Sequence, residues 1–385
     1  MGRLKRSVLR VALWLVACGA LAGPVPIRIG VQAALTGGSS PMGVSMRNGI
    51  QLAVEEINAS GGLLGRPLQL VERDDAGSPQ QGVRAAEELV RLGRVVAVVG
   101  LVNSGVALAS QPVYQAARLP VMIAVATVPE LTRRYAGSTR NYMFRVAAAD
   151  DLQAPLIVRE ALSAGYRRLA IFSDTTDYGR EGAEGLVRAL RQQGLRPVYQ
   201  ARFSLGERDM TGALAAARST GAEAILTYAI GPELAAVAND ADRLDWKVPL
   251  IGSWTLSMSN FIDNAGPNAE GARMVQSFLQ DTHTPRGQAF VQAYLGRYHV
   301  RRIPSPVSAA QGYDAMLLLA AAIRQAGSTA PTAVVAALEN LRQPVEGAIT
   351  TYLRPFTSGD HEAIELSVPT IGRIEHGRIV PARMH

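Results

Sequence analysis

The run Val95-Val-Ala-Val-Val99, followed at once by Gly100-Leu-Val-Asn-Ser104-Gly105 and by a helical pattern from Val106, decides the fold of this chain. A short β-branched run that ends at glycine is typical of a buried strand. A strand that leads through a short loop into a helix is typical of a parallel sheet covered by helices. The stretch therefore predicts a strand–loop–helix unit, with Ser104 at the amino terminus of the helix.

The same alternation extends towards the amino terminus. Ile27-Arg-Ile-Gly-Val31 and Leu68-Gln-Leu-Val-Glu-Arg73 are predicted strands. Between them, apolar residues at helical spacing predict an amphipathic helix from Met46 to Asn58. Ser78-Pro79-Gln80-Gln81 supplies an N-cap, a proline at the first helical position and a capping-box partner, so we expect another helix to begin there.

The alternation also continues towards the carboxyl terminus, where the last third is less regular and has one strong helical pattern at Gly312–Gly327. Parallel strands and helices in this number form either one closed barrel or two open sheets. The polar segment Ala147–Gln153 interrupts the rhythm and favours two sheets. The further predicted strands are Val121–Ala124, Arg168–Phe172, Val198–Phe203, Glu223–Tyr228 and Val248–Ile251.

The first 23 residues have the pattern of an export signal, with basic residues before the apolar run Val11–Ala22. This run is too short for a membrane-spanning helix, which needs about 20 residues. Cleavage after Ala20-Leu-Ala22 is the favoured route, and lipidation of Cys18 in Leu15-Val-Ala-Cys18 is the alternative. No later run is judged long and apolar enough to cross a membrane, so we expect a periplasmic protein, or a lipoprotein anchored through Cys18.

Composition and charge argue against a nucleic-acid partner. Hydrophobic residues make up 48% of the 385 residues and charged residues 18%, which suits a large folded core. The net charge of +7 includes four basic residues within the signal, so the rest of the chain carries only +3. The remaining arginines are spread along the chain among acidic residues, without the concentrated basic face of a nucleic-acid binder.

Catalytic and metal-binding signatures are missing from the sequence. The five histidines, from His283 to His385, lack metal-ligand spacing, and no phosphate loop or nucleophile elbow is present. Cys18 is the only cysteine, which leaves the folded part without a thiol or a disulfide. Asp74-Asp75 is interpreted as a polar loop after a strand. We therefore expect no enzyme and no cofactor, and a secreted α/β hydrolase with an unrecognised acid pair is the distant alternative.

Polar side chains follow two predicted strands at the point where each ends. Ser104 follows Val95–Val99, and Thr127 follows Val121–Ala124. Ligands of open parallel sheets bind outside the carboxyl ends of the strands, and free amides at a helix start favour an anion. Two hydroxyls beside such amides suit a carboxylate. The alternative is that both residues are only helix caps.

The chain resembles the periplasmic binding proteins of branched-chain amino-acid-type ABC transporters, the leucine/isoleucine/valine-binding group. The resemblance runs in order through nearly all of the chain after the signal. It is carried by Ile29-Gly-Val31, Leu35-Thr-Gly37, Gly49-Ile-Gln-Leu-Ala-Val-Glu-Glu-Ile-Asn58, Gly61-Gly-Leu-Leu-Gly-Arg66, Asp74-Asp75, Val98-Val-Gly100, Ala126-Thr-Val-Pro-Glu-Leu131, Phe144-Arg145, Asp174-Thr-Thr-Asp-Tyr-Gly179, Ala269-Glu-Gly271 and Tyr313-Asp-Ala315.

This resemblance implies the type I periplasmic-binding-protein fold. The fold class is α/β, with two Rossmann-like lobes, parallel central sheets and three hinge crossings, and the ligand lies between the lobes. We assign residues 1–23 to the signal peptide. Lobe 1 is expected at 24–145 plus 276–348, and lobe 2 at 146–275 plus 349–385.

The resemblance also implies which residues contact the ligand. Ser104 and Thr127, with the backbone of Val125 beside them, map onto the group that grips the α-carboxylate and helps to hold the ammonium of an amino acid. Tyr178 matches a tyrosine that closes over the ligand from lobe 2, and Met42 lies near a pocket-wall position. Tyr228 is a weaker candidate from lobe 2.

One position departs from the family pattern. Amino-acid binders of this group carry an acidic residue after the strand equivalent to Val248–Ile251, where it pairs with the ligand's ammonium. Here Trp254 stands in Gly252-Ser-Trp-Thr255. A buried ammonium without a counter-charge is unfavourable, so we expect Trp254 to stack on an apolar or aromatic part of the ligand. The alternative is a core tryptophan under the hinge.

The expected function is therefore capture of an amino acid or related small carboxylate, with aromatic carboxylates as a second ligand class. The expected partner is the membrane permease of an ABC importer, and we expect the binding protein itself to be a monomer. A ligand-sensing module of the same fold is the alternative function.

Overall fold

The computed structural model describes residues 24–138 and 140–382. The predicted signal peptide at 1–23 lies outside the described residues, and so do both of its proposed processing routes.

The first lobe is built on a parallel sheet of five strands in the order β2-β1-β3-β4-β5. Most of β1 and all of β3, β4 and β5 are buried, which explains why their sequences are nearly continuous apolar runs rather than alternating ones. The strands are β1 (Ile27–Ala33), β2 (Leu68–Asp74), β3 (Ala97–Gly100), β4 (Val121–Ile123) and β5 (Met143–Arg145).

The second lobe is built on a sheet of seven strands in the order β14-β13-β10-β9-β8-β6-β7. The strands from β6 to β10 pair in parallel, whereas β13 and β14 add an antiparallel edge. The strands are β6 (Leu169–Asp174), β7 (Tyr199–Phe203), β8 (Ala224–Tyr228), β9 (Leu250–Gly252), β10 (Arg273–Gln276), β13 (Thr370–Glu375) and β14 (Arg378–Pro381). A small hairpin of β11 (Val345–Glu346) and β12 (Thr351–Tyr352) stands apart from both sheets.

Helices connect the strands. The predicted cap at Ser78 is confirmed, since its side chain accepts a hydrogen bond from the backbone of Gln81 and Pro79 is the first helical residue. The helices are α1 (Ser40–Ala59), α2 (Pro79–Arg91), α3 (Ser104–Ala116), α4 (Glu130–Arg133), α5 (Asp150–Ser163), α6 (Asp177–Gln192), α7 (Thr211–Ser219), α8 (Gly231–Arg243), α9 (Ser259–Ala265), α10 (Pro285–Tyr298), α11 (Pro306–Ala326) and α12 (Pro331–Leu338), with short 3₁₀ helices at Trp254–Ser257 and Gly266–Ala269.

The chain passes three times between the lobes, and the sheets are open, so the two-sheet architecture is confirmed and the single barrel is wrong. The first crossing, at 146–149, joins β5 to α5 inside the polar segment that the sequence singled out. The second joins β10 to α10. The third leads to β13.

The position of the third crossing differs from the expected division at residue 348. The Tyr352 hydroxyl donates to Asp314 Oδ2 on α11, at 2.9 Å. Arg145 at the end of β5 donates through Nε to Glu362 Oε2, at 2.7 Å. Residues 349–364 therefore pack on lobe 1, and the chain crosses to lobe 2 at 365–369.

The expectation that no later run is apolar and long enough to cross a membrane is wrong for one helix. α11 meets both criteria, but 89% of its most apolar window is buried within the described fold. It packs on α1 so closely that a Cβ atom at Gly49 would lie 2.0 Å from the Ala309 carbonyl oxygen. These contacts indicate the core helix of lobe 1.

Candidate ligand-binding cleft

The carboxyl ends of the parallel strands of both sheets face the space between the lobes. In lobe 1, β3 leads into α3, and the loop after β4 carries Thr127. In lobe 2, β6 leads into α6, β8 into α8, and β9 into the 3₁₀ helix that begins at Trp254. This is where open α/β sheets bind ligands, because loops and helix starts present free backbone groups there.

Ser104 and Thr127 lie next to each other, as the carboxylate hypothesis requires. Ser104 is the first residue of α3, and its Oγ accepts a hydrogen bond from the Thr127 backbone nitrogen at 3.4 Å. Both side chains are 2% exposed. The free amides of the first turn of α3 and its dipole favour negative charge beside them.

A small cavity of about 20 Å³ lies between the lobes at this point. Six of the residues predicted from the sequence line it: Met42, Ser104, Val125, Thr127, Tyr178 and Trp254. Sequence reasoning missed four further lining residues: Val102, Asn103, Ile230 and Thr255. The missed residues all lie two or three residues after a strand end, so the rule that identified Ser104 could have found them.

Tyr178 reaches the cavity from the first turn of α6. Its hydroxyl donates to Ser253 Oγ at 2.6 Å, and its ring lies 4.9 Å from the ring of Tyr228. Burial, together with the nearby charge of Asp150, raises the pKa of Tyr178 well above its ordinary value. Tyr178 is therefore a neutral, oriented wall of the cavity.

Tyr228 was predicted as a ligand contact, but it is not among the described residues that line the cavity. It is fully buried behind Tyr178, and its hydroxyl donates to Asp150 Oδ1 at 2.7 Å. Its ring supports the ring of Tyr178, so the structure places it as a packing partner of the wall.

Asp150 is a buried acid that sequence reasoning did not single out. It is the first residue of α5, directly after the first crossing, and its backbone nitrogen donates to the Thr127 carbonyl at 3.0 Å. Burial raises the pKa of Asp150 to about 6, although the nearby Thr127 hydroxyl and the hydrogen bond from Tyr228 lower it. Asp150 thus links Thr127, on the lobe 1 side of the cavity, to Tyr228 in the second lobe.

Trp254 lines the cavity where the family pattern has an acid, and it is 6% exposed. Its carbonyl accepts from Ser257 Oγ at 2.7 Å, which anchors the short 3₁₀ helix. None of the described residues that line this cavity carries a charged side chain. The cavity wall therefore offers hydroxyls, amides and aromatic surface.

A larger chamber of about 660 Å³ adjoins the cavity. The two spaces share Asn103, Ser104, Tyr178 and Ile230 as lining residues. We call this space the outer chamber; its lining is Gly38, Ser39, Ala76, Gly77, Pro79, Asn103, Ser104, Gly105, Val106, Thr175, Thr176, Asp177, Tyr178, Leu205, Gly206, Ile230, Pro232 and Glu233.

Two open α/β sheets with a polar cleft between their carboxyl edges define a two-lobed binding protein of the type I periplasmic fold. Residues 26–366 match the model of the periplasmic binding protein family. The chain therefore belongs to the periplasmic binding protein family, whose members bind solutes and are not enzymes. Membership implies export to the periplasm.

Curated relatives narrow the group. Leu/Ile/Val-binding protein homolog 3 of Brucella melitensis is 30% identical over 326 residues, which is 84% of this chain and 86% of the relative. The Leu/Ile/Val-binding protein BraC3 of Rhizobium johnstonii is 30% identical over 92% of this chain and 94% of the relative. The resemblance to the leucine/isoleucine/valine-binding group is confirmed.

A solved structure agrees with the fold. A type 1 periplasmic binding protein from Bordetella pertussis superposes with a TM-score of 0.84 at 27% identity, covering 93% of this chain and all of the other. The two-lobed type I architecture is thus shown by sequence and by structure.

Proposed function

We propose that this protein captures an amino acid or related small carboxylate for an ABC importer, and that the lobes close over the solute. The observation that carries the proposal is the pair formed by Ser104, at the start of α3, and Thr127 in the cavity between the lobes. Each hydrogen bond from such groups to a carboxylate contributes about 1.5–3 kcal/mol.

The ligand's other end is recognised differently from the family pattern. The described lining of the cavity has no carboxylate that would pair with an α-ammonium, and Trp254 presents its ring instead. A cation–π contact contributes about 0.5–2 kcal/mol, less than a desolvated ion pair. Amino acids are the ligand class that the relatives' names support, and aromatic carboxylates are the second class because of Trp254.

We expect the lobes to close over the solute because residues of both lobes line the cavity. Ser104 and Thr127 come from lobe 1, whereas Tyr178 and Trp254 come from lobe 2. A solute that contacts all four binds the closed form better than the open form, and this difference drives closure. The closed monomer then docks on a membrane permease. The protein reaches the periplasm either after cleavage behind Ala22 or as a lipoprotein held through Cys18.

The test begins with native mass spectrometry of freshly purified protein, to identify a co-purifying solute. A thermal-shift screen then compares leucine and other amino acids with benzoate-type carboxylates. Ser104→Ala combined with Thr127→Ala should abolish the ligand-induced rise in Tm. The matched control is the double variant Ser219→Ala and Thr220→Ala. It also removes one serine and one threonine hydroxyl, but before the amino end of β8, at the end of the second sheet that is remote from the cleft.

An unchanged rise in Tm in the Ser104/Thr127 variant would remove both residues from the site. Tight binding of leucine, with weak binding of aromatic carboxylates, would show that Trp254 does not set the ligand class.

A further inference from the structure

The outer chamber has the size of a small-molecule site, whereas the inner cavity does not. Ligand pockets span about 300–1,000 Å³, and a cavity of about 10–15 Å³ holds a single water. The chamber measures about 660 Å³ and the cavity about 20 Å³. Both lobes contribute to the chamber, with Ser104 at its junction with the cavity. A ligand anchored at Ser104 therefore extends into the chamber.

The chamber carries negative charge on its lobe 2 side. Asp177 and Glu233 line it, and no lysine or arginine is among its described lining residues. Asp177 is partly neutralised by Arg180, whose Nη2 lies 2.8 Å from its Oδ1. Glu233 has no ion pair within the described ranges 24–138 and 140–382. Glu233 therefore lies in the first turn of α8 without a basic side chain paired to it among the described residues.

Glu233 is also incompletely hydrogen-bonded, although it is only 7% exposed. Its Oε1 accepts from the Gly206 nitrogen at 2.6 Å, but its buried Oε2 accepts no hydrogen bond from any described residue. Buried polar atoms in native proteins are nearly always paired, and each exception needs an explanation.

A second unpaired acceptor belongs to Asn103, which lines the chamber from lobe 1. The Asn103 side chain donates through Nδ2 to Ser39 Oγ at 2.9 Å, and its buried Oδ1 accepts nothing from the described part of the chain. Asn103 and Glu233 thus line one space from opposite lobes, and each has an acceptor without a donor among the described residues. A ligand group that donates N–H hydrogen bonds would satisfy both.

The two ends of the site therefore prefer opposite charges. The start of α3, with the hydroxyls of Ser104 and Thr127, favours an anion, and the chamber wall at Glu233 favours a cation. We propose that the ligand is an elongated carboxylate whose far end carries an ammonium or similar N–H donor, held in the outer chamber by Glu233 and Asn103. The inference rests on the proposed function, because the carboxylate anchor orients the ligand.

The test uses chain-length series of known compounds and isothermal titration calorimetry on the whole mature protein. One series is the straight-chain ω-amino carboxylates from 4-aminobutanoate to 8-aminooctanoate. The second series has the same chain lengths with a methyl end, and dicarboxylates form the third. At least one ω-amino carboxylate should bind about tenfold more tightly than its methyl-ended partner, and dicarboxylates should bind most weakly.

Glu233→Gln keeps the shape of the side chain and the acceptor for Gly206. It should lower the affinity for the ω-amino carboxylate about tenfold and leave the methyl-ended partner unchanged. Ser104→Ala should weaken both. The matched control is Glu184→Gln on the exposed side of α6, where the glutamate pairs with Arg188, and it should change neither.

Three outcomes overturn the inference: equal affinity for ammonium and methyl ends, no effect of Glu233→Gln, or no binding by any member of the series. In the first two cases the proposed function stands if Ser104→Ala still weakens carboxylate binding. If Ser104→Ala has no effect on any carboxylate, the proposed function fails as well.

Discussion

The hinge end of lobe 1 and the ligand cleft both bury charged side chains, but these side chains differ in how completely they are hydrogen-bonded. At the hinge, the fully buried Arg145 donates from Nε and Nη2 to the two oxygens of Glu362, at 2.7 and 2.6 Å, and from Nη1 to the Val128 carbonyl at 2.7 Å. In the cleft, Glu233 leaves one oxygen without a donor among the described residues. The fully paired Arg145 holds two segments together, whereas the unpaired oxygen of Glu233 belongs to a residue that lines the outer chamber.

The hinge pair also joins segments that are distant in sequence. The Arg145 backbone nitrogen donates to the His361 carbonyl, and the Ala363 nitrogen donates to the Arg145 carbonyl, both at 2.9 Å. Burial lowers the pKa of Arg145, but the charge and hydrogen bonds of Glu362 outweigh it and raise the pKa overall. Arg145 is therefore a charged residue that fixes the first crossing against the segment that precedes the third crossing.

The largest effect is expected from breaking the hinge pair. Glu362→Ala leaves the guanidinium of Arg145 buried without its counter-charge. Removing one partner of a buried pair destabilises by about 3–5 kcal/mol, and the 18% exposure of the Glu362 side chain favours the lower end. Urea denaturation followed by circular dichroism measures the loss.

The control for this variant is the same substitution in an exposed arginine–glutamate pair. Glu55→Ala breaks the contact with Arg297, where the side chains are 39% and 54% exposed. It should change the free energy of unfolding by less than about 1 kcal/mol. Equal losses in both variants would show that burial does not distinguish the hinge pair.

A smaller and pH-dependent effect is expected at Asp150, which lies between the two regions. Its pKa in the folded protein is raised to about 6 from 3.8. The folded state therefore holds a proton that the unfolded state has lost between these values, so the group's stabilising contribution falls as pH rises from about 4 to 6. Asp150→Asn removes this dependence. Its free energy of unfolding should therefore rise by about 2–3 kcal/mol relative to that of the wild type between pH 4 and pH 6.

Denaturation curves for both proteins at several pH values measure this difference. In the Asp150→Asn variant, the new side chain can still accept the Tyr228 hydrogen bond through its amide oxygen. Asp151→Asn is the control, because Asp151 is exposed and pairs with Arg133. A parallel pH dependence for wild type and Asp150→Asn would contradict the raised pKa.

Some residues of the inner cavity could be predicted from local sequence pattern, whereas others required the family resemblance. Ser104 and Thr127 follow from local pattern, because a strand end and a helix start are both visible in the sequence. Tyr178 and Trp254 required a family resemblance, since nothing in their local pattern points to a ligand. β5 and β10 have three and four residues, too few for any periodicity to show.

The hinge pair and the outer chamber could not be predicted, because they depend on contacts between distant segments. Arg145 and Glu362 are 217 residues apart, and no local pattern links them. Glu233 looks like an ordinary first-turn acid of α8 in the sequence. Only the packed structure shows that one of its oxygens lacks a donor within the described chain.

Tyr178→Phe tests a polar group in the cleft that is already paired. The variant loses the 2.6 Å hydrogen bond to Ser253, whose hydroxyl keeps its contact with Thr255 Oγ1 at 2.9 Å. The expected loss of stability is about 1 kcal/mol, well below that of the hinge variant. Thermal denaturation measures it, with Tyr166→Phe as control, because the half-buried Tyr166 hydroxyl makes no hydrogen bond to described residues. Equal Tm values for the two variants would contradict the assigned role.

The smallest effect is expected at Gly105, where the lobes meet across the cleft. A Cβ atom there would lie 2.8 Å from Asp177 Oδ2 of the opposite lobe, whereas a Cβ at Gly212, which is the second residue of α7 as Gly105 is of α3, meets nothing within 4 Å. Gly105→Ala must displace the flexible carboxylate in the closed form only. It should therefore lower the affinity for the co-purifying solute about two- to fivefold, and without solute it should change Tm no more than Gly212→Ala, which makes the same helical glycine-to-alanine exchange. Gly212→Ala should leave the affinity unchanged, because Gly212 lines neither the cavity nor the outer chamber. If Gly105→Ala lowered the Tm without solute as much as Glu362→Ala, the cleft would be part of the permanent framework, and the contrast between hinge and cleft would fail.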